Sequence, residues 1–222
     1  MTRIAIVGGH GAVAQHLITA LHARGDHAVA LVRSESHRAD LETLGAEVRL
    51  LDLEQDGADR FVAAFEGCDA VVFAAGAGPD GDVDRKRTVD LEGSLKSVEG
   101  ARGAGIDRFV QVSAIGVDQP LAEDVEPVWR AYVEAKATAD SALRDSDLDW
   151  TIIRPGRLTD DAATGQVTLA EEVERGDVTR ADVAAVVAAC LADPGSIGWQ
   201  WELVGGSTPV TEAVTAAITA FD

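Results

Sequence analysis

Cysteine is nearly missing from this chain. Only Cys68 and Cys190 occur in 222 residues, and neither belongs to a CxxC pair or a metal-like cluster. No disulfide framework and no metal site is therefore expected. Cys190 falls in DVAAVVAACLA, where Val183, Val186, Val187, Cys190 and Leu191 recur at helical spacing, so it reads as core, as does Cys68 ahead of an apolar strand. Long apolar runs are also absent: none reaches the roughly 18 residues of a membrane span. The opening MTRIAIVGGHG lacks the charged, apolar and cleavage regions of a signal peptide. The expectation is a soluble, cytoplasmic protein with no membrane partner.

Lysine is almost as rare as cysteine. Lys86, Lys96 and Lys136 are the whole complement, and 38 acidic against 19 basic residues leave a formal net charge of −19. Such a surface repels nucleic acid and anionic membrane, which excludes both as expected partners. Two origins of the acidity stay open: adaptation to high salt, where screening relieves self-repulsion, or acidic drift in an Arg-rich, Lys-poor genome. Aromatic residues make up 5% of the chain. Trp129, Trp150, Trp199 and Trp201 are scattered and read as packing or rim residues rather than a stacking platform. Tyr132 is the only tyrosine.

Apolar segments are present in a regular order. RIAIVG (3–8), HAVALVR (27–33), AEVRLLDL (46–53), DAVVFAAG (69–76), RFVQVSAIG (108–116) and DWTIIRPG (149–156) read as strands, several continuous enough to be buried on both faces. Helix-like segments at 12–24, 35–45, 56–67, about 86–104 and about 128–146 separate them. This βαβ alternation predicts an α/β fold, a doubly wound parallel sheet with helices on both faces. After Gly156 the pattern loosens into a short strand (166–170), a helix (180–192), a strand (199–206) and a last helix (209–220). The reading is a single domain over 1–222: a dinucleotide-binding core at 1–156 and a small C-terminal segment, 157–222, on the substrate side. The irregular stretch 75–87 and the segment 157–176 are expected to line the substrate pocket, because both follow strand C-terminal ends.

The stretch IAIVGGHGAVAQHL runs a strand through glycines into an amphipathic helix. Its G-x-x-G-x-x-A pattern places Gly8 at the turn, Gly11 where a backbone must approach a pyrophosphate, and Ala14 at the helix–strand contact. Gly8, Gly9, His10, Gly11, Ala12 and Val13 are the candidate phosphate-binding turn, with His10 read as a solvated loop residue rather than a catalytic one. The alternative is a tight strand-to-helix turn without a ligand. Arg33 stands at the end of the second strand, where an NAD site usually carries an acid. A guanidinium there suits a 2′-phosphate, so NADP(H) is preferred and NAD(H) stays possible. The competing reading pairs Arg33 with the nearby Glu35.

These features resemble the atypical short-chain dehydrogenase/reductases, especially the small NAD(P)H-binding subgroup often labelled NAD-dependent epimerase/dehydratase. The resemblance spans nearly the whole chain. It is carried by the glycine turn, LDL (51–53), FAAGAG (73–78), VSAIG (112–116), TRADVAAVV (179–187), WELVGG (201–206) and, most specifically, YVEAKATADSALRDSDLDWTIIRPGRLTD (132–160). It implies a Rossmann-type fold. It further implies that Asp52 and Leu53 border the adenine, that Ala74, Ala75 and Gly76 line the pyrophosphate and ribose, and that Pro155 and Gly156 lie by the nicotinamide. Ser113 would polarise a substrate carbonyl, and Tyr132 with Lys136 match the Y-x-x-x-K pair.

The pair also has its own chemistry. Residues four apart share a helix face, and a neighbouring ammonium lowers a phenol pKa so that it can exchange a proton near neutrality. Lys136 could also hold the cofactor ribose. The expected function is an NADP-dependent oxidoreductase acting on a small carbonyl or conjugated acceptor, with Tyr132 as acid, Lys136 tuning it and Ser113 orienting the oxygen. A non-catalytic NADP(H) sensor, or a flavin or quinone reductase acting by cofactor positioning, are the alternatives. About 65 residues beyond the sixth strand are too few to enclose a sugar nucleotide, which weighs against the epimerase label. The partners expected are a small-molecule substrate and at most a second copy, as monomer or homodimer.

Overall fold

The computed structural model describes residues 1–78 and 82–220. Its first half follows the alternation in the sequence: β1 (Arg3–Val7), α1 (Ala12–Ala23), β2 (His27–Val32), α2 (Arg38–Thr43), β3 (Glu47–Leu50), α3 (Ala58–Phe65) and β4 (Ala70–Phe73). One helical turn, α4 (Val83–Arg85), then runs into a π-helical stretch, Lys86–Glu92, and on into α5 (Gly93–Gly103). β5 (Arg108–Val112), α6 (Pro127–Arg144) and β6 (Asp149–Pro155) complete the core. The C-terminal part holds β7 (Arg157–Thr159), β8 (Gln166–Ala170), β9 (Asp177–Thr179), α7 (Arg180–Ala192), β10 (Trp199–Gly205), β11 (Thr208–Pro209) and α8 (Val210–Thr219).

Nine strands form one sheet in the order β11-β8-β10-β6-β5-β4-β1-β2-β3. β3 through β6 and β10 are parallel, and β8 and β11 close one edge antiparallel. The fold is the Rossmann-type arrangement with helices on both faces. Alternation along each strand divides the core. Ile4, Ile6, Val72, Val110 and Ile153 face α1 and α7, while Ala5, Val7, Phe73, Phe109 and Ile152 face α3, α5 and α6. Cys68 and Cys190 are both buried, and burial pushes the Cys190 thiol up to about 12, which leaves it a packing residue.

The segment after Gly156 extends the same sheet. β10 lies beside β6 in parallel register, Glu202 opposite Arg154 and Leu203 opposite Pro155. The short β7 and β9, which the loosened pattern did not reveal, pair with each other over three residues. Gly156 is required by that crossing, since a Cβ there would sit 2.1 Å from the Gly176 carbonyl oxygen. Any side chain at 156 would push the β7–β9 pair off the end of β6.

Candidate functional site

Strand order reverses between β1 and β4, and a cleft of 340 Å³ opens over the carboxyl ends of these strands. Its walls include Gly8, His10, Gly11, Arg33, Asp52, Leu53, Ala74, Ala75 and Gly76. Gly8 has φ +81°, and a Cβ on it would lie 2.7 Å from the Ala75 Cα, so only glycine lets the two strand ends meet. Gly11 caps α1 with no side-chain hydrogen bond, and its N–H donates to the Gly8 carbonyl at 2.8 Å. The first turn of a twelve-residue helix thus faces the cleft without a side-chain cap, an arrangement that suits a phosphate. Ala14 is fully buried between helix and sheet.

The rim of this cleft is more charged than the sequence suggested. Arg33 is 64% exposed and lies 3.6 Å from Glu54; Arg85 lies 3.7 Å from the same carboxylate. Thr88 Oγ1 donates to Glu54 at 2.8 Å. Glu35, the partner considered for Arg33, is instead held by Arg38 in a close ion pair that lowers the carboxyl pKa. His10 stacks on His37, ring centroids 3.6 Å apart and planes 5° from parallel. Asp52 works as a turn former: its Oδ1 accepts from the Glu54 and Gln55 N–H groups at 2.9 and 3.3 Å. Arg85, Glu54 and His37 carried no motif, since they meet Arg33 only once β2, β3 and α4 are folded together.

A second cluster lies under α6, where Tyr132 and Lys136 share a face. Lys136 is buried, its Nζ 3.4 Å from Asp90 Oδ1, 3.3 Å from the Val112 carbonyl, 3.5 Å from the Ala75 carbonyl and 6.0 Å from the Tyr132 ring centre. Asp90 is buried as well and accepts from the Ala77 N–H at 3.0 Å. The i, i+4 spacing alone predicts that the lysine lowers the tyrosine pKa. Burial of the phenol raises it and outweighs the pull of Lys136, and Asp90 and Asp140 push in the same direction as burial. The phenol therefore stays protonated at neutral pH. Lys86 Nζ stands 5.1 Å from the same ring centre, and Trp129, half-exposed at 48%, packs 5.3 Å from it at a tilt.

Ser113 belongs to a different network. Its hydroxyl donates to Asp140 Oδ2 at 2.8 Å. The same carboxylate receives Gln111 Nε2 at 2.6 Å and Arg154 Nε at 2.8 Å, with Arg154 Nη2 also 2.8 Å away. With its proton committed to a carboxylate, the Ser113 hydroxyl has only lone pairs to offer a ligand in this arrangement. Arg154 reaches Asp118 at 2.7 Å with its other nitrogen, so it is a bridging residue rather than a free cation. Arg157 and Asp160 likewise pair with Asp177 and Arg180.

The expected pocket segments are placed in part. Residues 79–81 of the 75–87 stretch lie outside the described residues. Buried Glu202 accepts from the Gly116 and Val173 N–H groups at 2.9 and 3.0 Å, which ties the loop after β5 to the 171–174 stretch. Pro155 ends β6 and its carbonyl accepts from Ile115 at 3.0 Å.

Residues 8–194 match a family model described as NAD(P)H-binding. An uncharacterized sugar epimerase, YhfK of Bacillus subtilis, is 38% identical over 213 residues, covering 96% of this chain and 98% of the relative. A solved structure from Bacillus halodurans, provisionally named an NAD-dependent epimerase/dehydratase, superposes with TM-score 0.90 at 37% identity over 97% of this chain and 99% of that one. ChuY, an anaerobillin reductase from Escherichia coli O157:H7, superposes with TM-score 0.78 at 26% identity, covering 92% and 97%.

Proposed function

The chain belongs to the NAD(P)H-binding family, and from that premise we propose that it is an NADP-dependent reductase that delivers a proton from Tyr132 to a small carbonyl or conjugated acceptor. One observation carries the reading: the single tyrosine of the chain stands beside two lysines, one of which, Lys136, reaches the carbonyl of Ala75 in the wall of the cleft. Gly8 to Val13 would hold the pyrophosphate, Asp52 and Leu53 the adenine side, and Ala74 to Gly76 the adjoining ribose. Arg33, with Arg85 beside it, would meet the 2′-phosphate once Glu54 gives way. A reduced nicotinamide bound there supplies hydride to the acceptor.

The remaining work falls to the chain. Tyr132 Oη gives its proton to the acceptor atom that gains electron density, and the phenolate left behind recovers a proton from solvent. Lys136 ties α6 to Asp90 and to the Ala75 and Val112 carbonyls, and its charge favours the transient phenolate. Ser113 would orient the acceptor oxygen only after leaving Asp140. The engaged Ser113 is the observation that favours a second reading, a flavin or quinone reductase working by cofactor positioning without a side-chain acid.

A pH profile separates the two. An acid whose pKa is raised above 10 is fully protonated at neutrality and is lost only as pH climbs past that value. Turnover at saturating substrate should thus stay flat from neutral pH to about 10 and fall beyond it. A decline centred near 7 would contradict Tyr132 as the donor.

A further inference from the structure

We propose that Lys86 is an anion-binding residue of the substrate pocket and that the substrate carries a carboxylate as well as the group being reduced; this rests on the reductase reading. Three cations are deeply buried: Lys86 at 7% exposure, and Lys136 and Arg154 at 4% each. Lys136 has Asp90, and Arg154 has Asp118 and Asp140. Among the described residues, Lys86 alone of the three has no carboxylate within ion-pair distance.

Its Nζ donates to the Gly78 carbonyl at 2.6 Å and stands 5.1 Å from the Tyr132 ring centre. An ammonium has three donors, and one carbonyl with one ring face does not replace the solvation that burial removes. A ligand anion would. The position is specific to the tyrosine side: neighbouring Arg85 and Val89 line the cofactor cleft, whereas Lys86 turns toward Tyr132. Lys86 also opens the π-helical stretch Lys86–Glu92, a wider turn often found where a helix serves a site. In a chain with net charge −19 and three lysines, two of those lysines flank the one tyrosine. Lys136 is balanced by Asp90, so Lys86 is the cation left to draw an anion to this point. The exposed Trp129 ring packed against Tyr132 offers an apolar wall for the body of such a molecule.

The test uses 4-formylbenzoate and its uncharged counterpart 4-formylbenzamide. Calorimetric titration into the protein saturated with NADP⁺ should show the carboxylate bound about 10- to 100-fold more tightly than the amide, as a charge-assisted bond in a partly dry site implies. Lys86→Met keeps the length and removes the charge. It should bring the two probes to within about twofold while leaving NADPH affinity and the melting temperature unchanged, since no carboxylate loses its partner. Equal binding of the two probes to the parent protein, or no binding of 4-formylbenzoate, overturns the proposal. So does a carboxylate preference that survives Lys86→Met, and so does loss of NADPH affinity in that variant, which would assign the lysine to a cofactor phosphate. Carboxylate preference that depends on Lys86, without NADPH consumption when the aldehyde is added, upholds the anion site and contradicts the reductase reading alone.

Discussion

Asp140→Ala should destabilise the protein by about 3–5 kcal/mol, the cost of breaking a buried ion pair from one side. The carboxylate is fully buried and is the common acceptor for Gln111, Ser113 and Arg154. Removing it strands the amide, the hydroxyl and half of a guanidinium at the junction of β5, β6 and α6. Arg154 keeps Asp118, but that residue is half-exposed and holds only one of its nitrogens. The Asp118 carboxyl pKa is lowered because Arg154 donates to it, so the remaining charge compensation sits there. For a chain of this size the loss corresponds to a fall in Tm of roughly 6–20 °C. Ser113→Ala removes one donor to the carboxylate and leaves the ion pair intact, so about 1.5–3 kcal/mol is expected. Urea unfolding of the two variants beside the parent checks both; an Asp140→Ala midpoint equal to the parent's would mean that the network does not hold the sheet to α6.

Tyr132→Phe should lower NADPH-dependent turnover by about 10²- to 10⁴-fold, the usual range for a positioned acid, while leaving cofactor affinity unchanged. The substitution deletes one oxygen. The ring, its contact with Trp129 and the two lysines beside it stay in place, so a structural effect should be small. Lys136, by contrast, is bound to Asp90 and two carbonyls, and replacing it would disturb β4, β5 and α6 together. Steady-state rates and NADPH titration of Tyr132→Phe separate the readings. Retained turnover with intact binding points to reduction by cofactor positioning; intact binding with no turnover in the parent protein points to a sensor.

Local pattern made the cofactor half legible. Apolar runs, several continuous enough to be buried on both faces, and the helical spacing between them mark β1 to β6 in order, and the glycine turn joins a strand to a helix within a few residues, so its geometry is written in adjacent positions. Tyr132 and Lys136 could be placed on one face because they are one turn apart. The chemistry around them was not legible, because its partners are remote in sequence. Asp90 meets Lys136 across 46 positions, and Asp140 collects Gln111, Ser113 and Arg154 from two strands. The spacing shows the lysine beside the tyrosine but not the burial of the phenol, the main reason its pKa rises, nor the two carboxylates that add to that rise. The rarity of lysine was a usable signal for Lys86, but nothing in DRKRTVDLEG announced that the residue is buried. The C-terminal part blurred for another reason. β7, β9 and β11 are two or three residues long, too short to show a period, and β10 enters beside β6 only after the chain has made the β7–β9 pair.

The central claim is that the cleft over β1, β2 and β4 takes a nicotinamide dinucleotide and distinguishes its phosphorylated form through Arg33. Fluorescence titration of the purified protein with NADPH and with NADH tests it most directly, in the parent and in Arg33→Ala. NADPH should bind at least about tenfold more tightly than NADH, as a charge-assisted contact to a 2′-phosphate implies, and Arg33→Ala should erase that advantage without abolishing NADH binding. Failure of both nucleotides to bind, or tighter binding of NADH, would contradict the account.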